Sequence, residues 1–87
     1  MAMTERATAN ASTEQFRTHD LFLSAFLLAK GALLLDHTRE GGRVTFVFAG
    51  EPNPQVLARD FWNGAPVNVS AYVQALQTLK SVIHGFA

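Results

Sequence analysis

Hydrophobic and polar positions follow three different rhythms along this chain. Residues 21–29, read Leu-Phe-Leu-Ser-Ala-Phe-Leu-Leu-Ala, are apolar at every position except Ser24. Residues 43–48 alternate, and residues 69–83 repeat apolar positions three and four apart. The first rhythm is that of a helix with little polar face. Thr18 stands where an N-cap accepts a backbone N–H, Asp20 falls in the first turn, and Lys30-Gly31 supplies a cation and a C-terminal stop. The spacing predicts a helix of about 12 residues. Phe22, Ala25, Phe26 and Ala29 share one face by the i, i+3, i+4, i+7 rule, with Leu21, Leu28 and Ala32 beside it. Leu23 and Leu27 fall toward the far side. A helix apolar nearly all round is either central and covered on two sides, or covered by its own fold on one side and by a partner on the other. In so small a chain the second arrangement is the expectation.

The second rhythm is that of a hairpin. ALLLDHT and RVTFVFAG are β-prone runs separated by Arg39-Glu40-Gly41-Gly42, whose paired glycines suit the positive φ of a tight turn. Val44, Phe46 and Phe48 alternate with Arg43, Thr45 and Val47, which makes one face strongly apolar and the other mixed. Leu33 and Leu35 are expected on the apolar face, with Leu34 opposite.

Two further helices follow. Asn53 caps QVLARDFW with Pro54 at its first position, and Asn63-Gly64 ends it. Leu57 and Phe61 face the core, with Ala58 and Trp62 on an adjacent stripe. Asn68 caps the last helix, where Val67 and Tyr72 have staple spacing. Tyr72, Leu76, Leu79 and Ile83 form its seam, supported by Val69, Val73 and Val82; Gln74, Gln77, Thr78 and Ser81 face solvent. The expected fold is a single small α+β domain over residues 15–87, in the order α-β-β-α-α, with an antiparallel hairpin packed on helices. Residues 1–14, polar and without hydrophobic periodicity, read as a flexible arm.

Composition narrows the chemistry. The chain has 87 residues, no cysteine, and seven basic against seven acidic side chains. Disulfides and thiolate–metal stapling are excluded, so stability rests on a dense apolar core or on association. The balanced charge removes the global attraction that nucleic-acid and anionic-membrane binders use. The apolar run of nine residues is too short for a bilayer crossing, which takes ~20. The N-terminal run lacks the apolar core of a secretory signal, and a cytoplasmic location is expected.

Several segments together carry a family resemblance. "FRTHDLFLSAFLLAKG", the hairpin ending in "VTFVF", "RDFWNG" and "ALQTLKSVI" resemble a family of small bacterial and phage-associated proteins catalogued as a domain of unknown function, number 5659 of that series, over residues 16–84. These motifs are caps, glycines and core positions, so the resemblance implies a shared fold. It implies no catalytic residue, cofactor or substrate, and points to phage or plasmid biology.

Candidate chemistry is sparse. His19, His37 and His84 lie on three different elements, with no partner at metal-ligand spacing. Asp20, Asp36, Glu40, Glu51 and Asp60 are scattered, and the serines lack a glycine-flanked elbow. No catalytic group, metal or cofactor is expected. The expected role is a non-enzymatic interaction module that self-associates or docks on a larger protein, using Leu23, Leu27, Phe61 and Trp62. The alternative is an accessory nucleic-acid binder that contacts phosphates through Arg39 and Arg43 at the hairpin turn. A third reading is an enzyme of unrecognised chemistry.

Overall fold

The computed structural model describes residues 15–84. Six elements follow in order: β1 (Phe16–Thr18), α1 (Leu21–Ala29), β2 (Leu33–Glu40), β3 (Arg43–Ala49), α2 (Pro54–Trp62) and α3 (Val69–His84). The three strands form one antiparallel sheet in the order β1-β3-β2. The α-β-β-α-α order holds, preceded by a short strand that the polar FRT segment did not announce. The arm expected over residues 1–14 lies outside the described residues.

Local chemistry sets the element ends. Asp20, not Thr18, caps α1: its carboxylate accepts the N–H groups of Phe22 at 2.9 Å and Leu23 at 3.1 Å. Thr18 acts one step earlier, its hydroxyl accepting the Asp20 N–H at 3.1 Å. At the other end Gly31 takes φ 98°, and the Ala32 N–H closes onto the Leu27 carbonyl at 2.9 Å, a turn that a residue with a side chain enters only under strain. The caps read for the later helices hold. Asn53 accepts the Gln55 N–H and Asn68 accepts the Ala71 N–H, each at 2.9 Å.

The hairpin turn is shorter than expected. Gly41 and Gly42, both at positive φ, connect strands that extend through Glu40 and Arg43, which face each other. Leu33 and Leu35 do not join the apolar face as expected; both are exposed, and Leu34 packs on the core. A break in register between Leu34 and Asp36 explains it. Leu34 stands opposite Phe48 while Asp36 stands opposite Val47, so Leu35 is the extra residue of a bulge and the alternation changes phase there.

The helices bury the sheet face that carries Val44, Phe46 and Phe48. Leu23, Ala25 and Leu27 of α1, Ala58 of α2, and Ala75 and Leu79 of α3 meet those residues in one cluster. Helix α1 is the centre of the helical layer, packing on α2, α3 and β1. Leu23 and Leu27, expected at a partner surface, are 1% and 0% exposed. Phe22, expected in the core beside Phe26, is 56% exposed. With neighbours on several sides, α1 takes the first of the two arrangements its composition allowed. Val47 on the mixed face is also buried, because β3 is the central strand and Val47 stands between Arg17 and Asp36 in register.

Candidate interaction surface

Burial divides the expected interface residues. Leu23 and Leu27 belong to the chain's own core and offer nothing to a partner. Phe61 is half-buried, its ring 5.3 Å from that of Phe26 at an interplanar angle of 56°, a tilted packing that ties α2 to α1. Lys30 extends its ammonium over the other member of that pair, 5.6 Å from the Phe26 ring centroid. Trp62 alone of the four is open, at 67% exposure.

The highest fractional exposure of a large hydrophobic side chain among the described residues is that of Val69 on α3. Val69 is 74% and Val73 43% exposed, and Leu76 is half-buried. Ala75 and Leu79 supply the buried face of this helix. At 100° per residue, Val69, Val73, Leu76 and Lys80 cluster about a quarter-turn away from that buried face. The apolar arc of α3 is therefore wider than its packing on the rest of the fold uses. Tyr72 joins this stripe to α1, its phenol donating to the Phe22 carbonyl in a long contact of 3.4 Å. Burial, reinforced by the negative charge of Asp20, raises the Tyr72 pKa above its ordinary 10.0.

Residue spacing in the sequence contained the signal for this stripe. Val69, Val73, Leu76, Lys80 and Ile83 follow steps of four, three, four and three. This is a second seam beside the one through Tyr72 and Leu79, and treating the valines as mere support for that core seam concealed it.

The two arginines of the nucleic-acid reading are separated by the strand pleat. Arg39 stands opposite Val44, on the helix-facing side, where its guanidinium donates to the Ile83 carbonyl in the last turn of α3. That contact places a cation at a helix C-terminus, where unpaired carbonyls and the dipole favour it. Arg43 stands opposite Glu40 and lines a shallow groove with His19, Gly41 and Thr45. His19 Nδ1 and Thr45 Oγ1 are 3.0 Å apart at its edge. The hairpin thus does not bring Arg39 and Arg43 together into one phosphate-contacting patch.

Among the described residues, no group of three or more His, Asp or Glu side chains gathers to hold a metal ion. No helix among them is long and apolar enough to cross a membrane.

A three-stranded antiparallel sheet with three helices over one face, and an apolar stripe left open on its last helix, defines a small α+β domain. Residues 13–85 match the family described as Domain of unknown function (DUF5659), and the chain belongs to that family. No curated protein and no solved structure matches it.

Proposed function

We propose that this domain is a protein-interaction module that docks through the outer stripe of α3. The observation that carries the reading is the exposure of Val69 and Val73 on a helix whose other apolar positions are in contact with the core. Scattered apolar side chains are ordinary on a protein surface, whereas a row of them at helical spacing is a partner-facing pattern. Trp62 and Val56, the exposed large apolar side chains of α2, stand six residues apart and form no such row.

A photo-crosslinking amino acid placed at Val73, and in a separate variant at Thr78 on the polar side of α3, tests this reading in the full chain. The module reading expects a polypeptide captured from position 73 and not from 78. Equal capture from both, or none from 73, contradicts it.

A further inference from the structure

Resting on that reading, we infer that the occupant of the α3 stripe is a second copy of this chain, with the two α3 helices packed antiparallel about a two-fold axis near Leu76. The seam supports this first by its spacing. Val69, Val73, Leu76, Lys80 and Ile83 keep the 4-3-4-3 steps with which one helix interlocks with another along a narrow line. A two-fold pair centred on Leu76 sets Leu76 against its own counterpart. Val69 then meets the uncovered part of Ile83 of the other copy, which is only partly buried in its own core, and Val73 lies along the aliphatic stem of Lys80.

Charge selects the orientation. Helix α3 contains no acidic residue, and Lys80 is the one lysine or arginine on it. Parallel packing would oppose the two Lys80 ammonium groups and align the helix dipoles. The antiparallel arrangement separates the lysines and brings each to the level of Tyr72 and Val73 of the other copy, where Asp20 contributes negative charge beside the phenol. The zero formal charge of the chain adds no long-range repulsion between copies.

The other exposed apolar element does not suit self-pairing. Strand β2 is a sheet edge with Leu33 and Leu35 exposed. Two β2 strands paired antiparallel about Thr38 would set Asp36 against Glu40, like charge against like, at both ends of the pairing.

Size fixes the strength. The 16 residues of α3 make a helix ~24 Å long, and one face of it covers roughly 500 Å² per partner, the low end for specific interfaces. Association is accordingly reversible and concentration-dependent.

Sedimentation equilibrium of the full chain from ~5 µM to ~1 mM reads the outcome as mass. The expected result is a rise from 9.5 kDa toward twice that value. Val73→Glu should remain at the monomer mass throughout, with an unchanged circular dichroism spectrum, and Lys80→Glu should weaken association at least ~10-fold by setting an anion near Asp20. Trp62→Ala should associate as the unaltered chain does. A constant monomer mass overturns the inference, as does a dimer that Val73→Glu leaves intact. A chain that stays monomeric while position 73 crosslinks to a different polypeptide overturns the second copy alone and leaves the docking reading standing. A monomer with no crosslink from position 73 overturns both.

Discussion

Leu27 shows how much one side chain can carry in a fold this small. It is fully buried among Phe46, Phe48 and Leu79, so Leu27→Ala removes apolar contact and leaves a cavity costing about 2–5 kcal/mol. Denaturant unfolding should show that loss, while Trp62→Ala stays within roughly 1 kcal/mol of the unaltered chain because its ring is mostly in solvent. Near-equal effects would mean that Leu27 is not core. Tyr72 offers a second readout at this scale, as the only tyrosine of the chain. Its folded-state pKa is raised, so the folded protein holds the phenolic proton more tightly than the unfolded chain does. The resulting stability is fully present below about pH 10, the unfolded value, and is lost as pH climbs through the folded pKa. Ultraviolet titration of tyrosinate should therefore find a midpoint above that of the urea-unfolded chain; a midpoint at or below it contradicts the burial of Tyr72. Caps at Asn53 and Asn68 were legible in the sequence because capping depends on side chains within three residues. The inward face of α1 was not, because Leu23, Leu27, Phe22 and Phe26 are all apolar, and only the placement of the sheet and two helices decides among them.

At the scale of elements, periodicity found three helices and the hairpin but missed how strand neighbours set facing. Three residues of β1 against β3 made β3 central and buried Val47, an effect that no pattern within residues 43–49 could contain. The bulge at Leu35 reversed the expected orientation of Leu33, Leu34 and Leu35, because alternation is broken by one extra residue. Arg39 changes meaning at this scale as well. In sequence it flanks a turn beside Arg43, whereas in the fold it closes the C-terminal end of α3 through the Ile83 carbonyl. Arg39→Ala should lower stability by about 0.5–1 kcal/mol and Arg43→Ala by less than half that, measured by thermal unfolding. Identical, negligible effects would show that the contact to Ile83 contributes nothing.

The whole molecule encloses one core between a three-stranded sheet and a helical layer organised around α1. That arrangement covers the apolar run which first suggested a missing partner, save for Phe22 at its start. On α3, by contrast, Val69 and Val73 point outward on one side of the helix. The family, the fold class and the caps of the last two helices could be read from residues 16–84, whereas the cap of the first helix fell to Asp20 in place of Thr18. The open stripe of α3 is separable from the core seam only through the position of α1 against α3, which shows which side of the last helix is occupied.

The most direct measurement is amide nitrogen–proton NMR of the uniformly labelled full chain as a function of its own concentration. Shifts or broadening that grow with concentration are expected at Val69, Val73, Leu76 and Lys80, and at Phe22 beside them, while the Trp62 indole and the β2 amides stay still. Spectra that do not change with concentration, or changes centred on Trp62 or β2, would contradict an α3 surface that receives a second copy.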